Sequence, residues 1–267
     1  MSEIQAEFEL SGRTAIVTGG GVGIGRATAA MLAEAGARVV VADRDRETGE
    51  RTAAEIAEAG GLAEFRAVDV SQRLEVDALV EATQSAHGRI DVMVNNAGII
   101  SDAPFLEISE EDLDRVHAVN FKGVFFGCQA AGRVMVDQGS GSIVNLASGA
   151  IDVATPTLVP YATSKAAVAQ LSRSVAVELG PFGVRVNAVA PGFIDTPMNE
   201  RHASGPDGRL DPKKHGEVLA ARATMSPLGL TGEPRDIALA VLYLASDAGR
   251  FMTGTVLRPN GGATMPW

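Results

Sequence analysis

The chain has 267 residues and is 46% hydrophobic but only 4% aromatic, with 30 glycines. That points to an aliphatic core and tight turns, the profile of a parallel α/β sheet rather than a sandwich. A formal net charge of −10 argues against nucleic acid and anionic membrane surfaces as partners. The single cysteine, Cys128, rules out an intramolecular disulfide and a cysteine-rich metal site.

Met1 to Leu10 is acidic and lacks a basic stretch followed by an apolar one, and no apolar run approaches ~18 residues. The expectation is a soluble cytoplasmic protein. Thr14 to Val17 reads as a buried strand ending at glycines, and Ile24 to Ala35 carries apolar residues at helical spacing until Gly36 stops it. Arg38 to Ala42 is a second strand, followed by a charged helix from about Asp45 to Ala59. Phe65 to Val68 makes a third strand, and Ser71 is the expected cap of a helix ending near His87-Gly88. Ile90 to Val94 is a fourth strand. Ser109-Glu110-Glu111-Asp112 has the pattern of a capping box and opens a long helix to about Asp137. Ser142 to Leu146, Val184 to Val189 and Thr255 to Leu257 are the remaining strands. Helices open at Pro160 and at Glu233-Pro234, the second running to Ala245.

Strands and helices alternate along the chain. Such βαβ units build a single-domain, doubly wound parallel sheet of about seven strands with helices on both faces, spanning 1–267. The exception is the polar segment 199–225, which contains Gly205-Pro206-Asp207-Gly208 and Asp211-Pro212-Lys213-Lys214 and reads as a substrate lid.

Two motifs carry chemistry. Thr18-Gly19-Gly20-Gly21-Val22-Gly23-Ile24-Gly25 joins the first strand to the first helix. A dinucleotide pyrophosphate needs such a tight turn, close backbone approach and a helix N-terminus. The spacing is G-x-x-x-G-x-G, not G-x-G-x-x-G, and with no Lys it is not a P-loop. Asp43 ends the second strand, where a carboxylate hydrogen-bonds a ribose 2′-OH and repels a 2′-phosphate. The reading is NAD in preference to NADP, although the adjacent Arg44 is able to hold a 2′-phosphate.

The second motif is Pro160-Tyr161-Ala162-Thr163-Ser164-Lys165. Residues four apart share a helix face, so the phenol and the ammonium point into the same space. A phenol with a pKa of ~10 trades protons poorly at neutral pH, and a nearby cation lowers that value. Tyr161 is thereby a candidate general acid or base.

With these glycines, Asp69-Val70, Asn95-Asn96-Ala97-Gly98, Asn120, Ser148, Tyr161 with Lys165, and Pro191-Gly192 with Thr196, the chain resembles the short-chain dehydrogenase/reductase family from about Leu10 to Gly262. The resemblance implies a Rossmann fold and an NAD(P)-dependent oxidoreductase acting on CH–OH groups. It assigns Asn120, Ser148, Tyr161 and Lys165 to catalysis. It places Gly19, Gly21, Val22, Ile24, Asp43, Arg44, Asp69, Val70, Asn96, Ala97, Gly98, Tyr161, Lys165, Pro191, Gly192, Ile194 and Thr196 at the cofactor. Asp69 and Val70 then meet the adenine, Asn96 to Gly98 line its ribose, and Thr196 reaches the carboxamide. Asn120 sits at a helix kink, where its backbone carbonyl holds a water linked to Lys165. Ala147, Asn260 and the long lid depart from the family pattern.

The implied substrate is a secondary alcohol or ketone of hydrophobic type (steroid, terpenoid, cyclic alcohol or 3-oxoacyl), walled by Ile151, Val153, Pro156, Leu158, Phe193 and the lid. Of the lid's cations, His202, Lys213, Lys214, His215 and Arg222, solvated surface charge is the preferred reading over recognition of an anionic tail. A homodimer or homotetramer is expected through the helices starting near Ser109 and Pro160, with Met265-Pro266-Trp267 a further candidate contact. No metal site is expected. The alternatives are a nucleotide-sugar epimerase or dehydratase, and a non-catalytic NAD sensor.

Overall fold

A computed structural model of the chain describes residues 2–200, 203 and 209–266. The elements in order are α1 (Glu3–Glu7), β1 (Thr14–Thr18), α2 (Gly23–Glu34), β2 (Arg38–Asp43), α3 (Arg46–Glu58), β3 (Leu62–Ala67), α4 (Arg73–His87) and β4 (Val92–Asn95). They continue with α5 (Glu110–His117), α6 (Gly123–Gln138), β5 (Gly141–Leu146), α7 (Val159–Leu179) and β6 (Val184–Val189). The last are α8 (Pro197–Glu200), α9 (Pro212–Ala223), α10 (Pro234–Ala245) and β7 (Val256–Leu257).

The strands form one seven-stranded sheet in the order β3-β2-β1-β4-β5-β6-β7, parallel throughout. Alternate side chains leave opposite faces. Ile16 and Val40 therefore join α4, α6 and α7 in one core, while Val17, Val39 and Val41 join α2, α3 and α10 in the other. Two covered faces explain why the central strands read as continuous apolar runs. The strand order reverses between β1 and β4, and a crevice at the carboxyl ends of strands is where such sheets bind ligands.

Several local expectations shift. β3 starts at Leu62 rather than Phe65, because this edge strand is only partly covered and carries Glu64 and Arg66 within it. Ser71 does not cap α4. Its hydroxyl and N–H both bond Asp69 Oδ1, and Gln72 occupies the cap position without a side-chain bond. Ser109 accepts from the Asp112 N–H at 3.0 Å, but its hydroxyl turns to the Asp112 carboxylate, so only half of the capping box forms. The long helix beginning there is divided by a π-helical turn at Ala118–Lys122. Segment 199–225 is not wholly loop: α9 occupies Pro212–Ala223, with the Asp211 carboxylate accepting from the Lys213 and Lys214 N–H groups.

Beneath the crevice a buried polar network joins β4, β5 and α7. Asn95 donates to Asn145 Oδ1 at 2.8 Å, and Asn145 donates to Ser172 Oγ at 2.9 Å. Asn145→Ala takes the best acceptor from the Asn95 amide and one donor from Ser172 Oγ in an apolar interior, which costs ~1–3 kcal/mol. For a chain of this size that lowers Tm by ~2–10 °C, measurable by calorimetry.

Candidate active site

The glycine turn between β1 and α2 is built for close approach. Gly19 and Gly23 have φ of 62° and 55°, a conformation that L side chains resist. A Cβ at Gly25 would lie 1.9 Å from the Gly19 carbonyl oxygen, so α2 packs directly on the turn. Val22, at the N-cap, makes no side-chain bond, and the first N–H groups of α2 have no side-chain cap. The Asn96 amide braces the turn by donating to the carbonyls of Thr18 and Gly19, both at 3.0 Å.

Asp43 ends β2 with its Oδ2 accepting from the Gly21 N–H at 2.9 Å and its Oδ1 from Asp45 N–H at 3.0 Å. The carboxylate is thereby fixed at the turn with lone pairs to spare. Gly21 itself lies under the site: a Cβ there would meet Thr48 Oγ1 at 2.5 Å. Asp69 is partly committed to Ser71, whereas Val70 is buried against the α6 start.

Lys165 and Tyr161 stand one turn apart on α7, with the ammonium 5.8 Å from the Tyr161 ring centroid. Lys165 is only 4% exposed and donates to the Leu146 carbonyl at 2.7 Å. Burial pushes its pKa down from 10.5 to about 8. Ser148 follows β5. Its Oγ accepts from the Ala150 N–H at 3.2 Å, which leaves the hydroxyl proton to donate elsewhere.

Asn120 is buried at the π turn, and its side chain ties that turn to its neighbours. It accepts from Ile99 N–H at 2.8 Å and donates to the Ile99 carbonyl at 2.9 Å and to Ser164 Oγ at 3.1 Å. The point where Gly98 lacks a Cβ is 3.4 Å from both Asn120 Oδ1 and Lys165 Nζ, so Gly98 leaves the space between them open.

After β6, the Pro191 carbonyl accepts from the Gly149 N–H at 2.8 Å, tying the Ser148 turn to this loop. Gly192 presses on Asn260, where a Cβ would be 2.8 Å from Cα. Thr196 and Asn199 both donate to the Ile194 carbonyl. The turn after Ser148 is also held from the far edge of the sheet, where Arg258 grips the buried Asp152 carboxylate at 2.7 and 3.2 Å.

One cavity of about 740 Å³ gathers these groups. Its walls include every expected cofactor residue except Gly21, together with Ser148 but without Asn120. Val153, Leu158 and Phe193 line it as expected, while Ile151 packs into the core and Pro156 stands outside. Of the lid cations among the described residues, only Arg222 lines it; Lys213 and Lys214 are exposed, and His215 bonds Asp195 at 2.9 Å. His202 and Trp267 lie outside the described residues. Val119, Leu228, Leu230 and the Asp152–Arg258 pair carry no signal in the chain, because none belongs to a motif and the pair is 106 residues apart. The glycines without room for a Cβ, the uncapped helix start and the carboxylate at the end of β2 fit a dinucleotide. Among the described residues no group of three or more His, Cys, Asp or Glu side chains is placed to hold a metal, and no helix is long and apolar enough to cross a membrane.

A family model described as enoyl-(acyl carrier protein) reductase matches residues 20–264. The chain is 39% identical to a 3-oxoacyl-[acyl-carrier-protein] reductase of Thermotoga maritima, over 96% of this chain and 99% of that one. It is likewise 39% identical to a 3beta-hydroxysteroid dehydrogenase of Eggerthella lenta, over 96% and 95% of the two chains. Among solved structures it superposes on a short-chain type dehydrogenase/reductase from Mycobacterium marinum with TM-score 0.90 and 38% identity, covering 99% and 100% of the two chains. A gluconate 5-dehydrogenase from Burkholderia cenocepacia in complex with NADP and tartrate matches with TM-score 0.88 and 33% identity, covering 98% of each. The protein belongs to the short-chain dehydrogenase/reductase family. Its relatives are oxidoreductases of CH–OH and ketone groups, and the family binds a nicotinamide cofactor.

The buried ammonium makes stability depend on alkaline pH. The unfolded chain keeps the Lys165 proton up to about 10.5 and the folded chain only up to about 8, so between these values the unfolded state holds more protons. Relative to Lys165→Met, the ligand-free wild type should therefore gain stability as pH rises from 8 to 10.5, and lose that gain as pH falls back. Denaturant titration of both proteins across this window measures the difference.

Proposed function

We propose that the protein is an NAD-dependent oxidoreductase that moves a hydride between C4 of the nicotinamide and the carbinol or carbonyl carbon of a secondary alcohol or ketone. The observation that carries this reading is the Tyr161–Lys165 pair on one helix face, in the same cavity as Ser148 and the glycine turn. The bound cofactor supplies the hydride chemistry, and the protein supplies placement and proton traffic.

An alcohol that loses hydride must also lose its O–H proton. Tyr161 takes that proton, or returns it in the reverse direction. The Lys165 ammonium, pinned by the Leu146 carbonyl, favours the phenolate by its charge. It has two further N–H donors with which to orient the nicotinamide ribose. Ser148, whose oxygen already accepts from Ala150, is left to donate to the substrate oxygen as charge develops there. Asn120 holds Ile99, in the loop after β4, and Ser164 in place, and its backbone at the π turn continues the proton path toward solvent.

Asp43 favours NAD, since a fixed carboxylate accepts from a ribose hydroxyl and repels a phosphate in its place. Arg44 lines the same part of the cavity and gives NADP a foothold, and one solved relative is a complex with NADP. The names of the relatives span acyl carrier protein thioesters, steroids and sugar acids, so they leave the substrate class open. A homodimer or homotetramer through α5–α6 and α7 fits the exposure of Leu113 and Phe125 on the first pair and Val177 on the third.

Tyr161→Phe should lower turnover by ~10²–10⁴-fold, the usual worth of a positioned proton donor, while titrations of the variant still show NADH binding. Unreduced turnover would remove Tyr161 from the mechanism. Asp43→Asn should raise the NADP-to-NAD ratio of kcat/KM by roughly tenfold, because a like-charge repulsion is relieved. An unchanged ratio would sink the cofactor assignment.

A further inference from the structure

We infer that Arg222 is the specificity-determining residue of this cavity, and that it takes an anionic oxygen group, carboxylate or phosphate, on a substrate whose remaining body is apolar. This deepens the reading of the site as an alcohol or ketone oxidoreductase and rests on it. The residue lies in the last turn of α9, half-buried, and its guanidinium centre sits 5.1 Å from the Phe193 ring centroid. Phe193 follows Gly192 on the loop after β6 and is anchored there, its carbonyl accepting from the Gly232 N–H at 3.0 Å. Aromatic contact of this kind holds a guanidinium in one place at little entropic cost while leaving its edge donors free.

Those donors lack a proper acceptor. Among the described residues the one polar contact of the guanidinium is Nη1 to the Met225 thioether at 3.8 Å, and thioether sulfur is a weak acceptor. Among the described residues no carboxylate pairs with it, in a chain of net charge −10 whose arginines at 13, 26, 89 and 258 each have one. The other charged groups on the cavity wall are already engaged or stand elsewhere. Asp43 and Asp69 accept from backbone N–H groups around the dinucleotide end, where Arg44 follows Asp43. Asp236 accepts from the Glu233 N–H, and Lys165 donates to Leu146. A guanidinium that is preorganised, half out of water and without an anion is a recognition element, since its five N–H groups match the geometry of carboxylate and phosphate. Elsewhere on the wall of the same cavity, Ile100, Val119, Val153, Leu158 and Leu228 offer only hydrocarbon, which suits a short aliphatic or aromatic body between the reacting carbon and the charge.

The test compares substrates that share one carbon skeleton. Short 3-hydroxy acids, their methyl esters and their coenzyme A thioesters are offered to the enzyme with NAD, and the corresponding 3-oxo compounds with NADH. The wild type should favour an anionic form over the methyl ester by roughly tenfold to a hundredfold in kcat/KM, the worth of a charge-assisted hydrogen bond. Preference for the free acid identifies the group as a carboxylate, and preference for the thioester identifies the phosphates of its carrier. Arg222→Gln should bring the ratio close to one, with Arg222→Lys between, since an ammonium keeps the charge but not the fork. Equal use of acid, ester and thioester by the wild type, or an undiminished preference in Arg222→Gln, overturns the inference while leaving the hydride-transfer reading intact. If no member of the panel turns over, calorimetric titration of the NADH complex with acetoacetate decides: binding that is absent, or equal in wild type and Arg222→Gln, also overturns it. Hydride transfer itself fails separately, if no secondary alcohol of any charge reduces NAD.

Discussion

The architecture turns on one desolvated cation. Lys165 is enclosed, its one acceptor among the described residues is the Leu146 carbonyl at the end of β5, and burial lowers its pKa to about 8. A buried ammonium is expensive, and it is tolerated where the structure gains something specific. Here the gain is a positive charge one turn from a phenol, at the point where β5, α7 and the loop after β4 converge. The Asn95–Asn145–Ser172 network ties β4, β5 and α7 together under that point.

The opposite end of the cavity obeys a steric rule instead. Gly25 has no room for a Cβ because Gly19 lies beneath it, and Asn96 locks the turn with two donated bonds. The backbone is brought close to where an anion is to sit, and α2 faces it without a side-chain cap. Chemistry and binding are thus placed by different physics: one by a charge held out of water, the other by the absence of side chains.

Much of this was legible in the chain. The apolar runs of β1, β2 and β6 declared themselves because both faces of the sheet are covered, and the glycine turn and the Tyr161/Lys165 spacing are local patterns. What escaped depends on distant residues. β3 was shortened because an edge strand mixes polar and apolar positions. Ser71 was misread as a cap because its bonds go back to Asp69 rather than forward into α4. Arg222 looked like one solvated charge among several on a polar segment, and nothing in its neighbours along the chain announces Phe193. Asn120 was expected to act through its backbone at a kink. The kink is present as a π turn, and the side chain's clasp on Ile99, 21 residues back along the chain, is the part that no motif announces.

The grip of Arg258 on Asp152 joins the first residue past the final strand to the turn that carries Ser148. During synthesis β5 and its serine emerge more than a hundred residues before that clamp is available. The glycine turn and its Asn96 brace, by contrast, draw only on residues that precede β5 in the chain. Neither Asp152 nor Arg258 lines the cavity, so the turn after Ser148 is set from a distance, and a change at the last strand reaches the cavity wall through this ion pair.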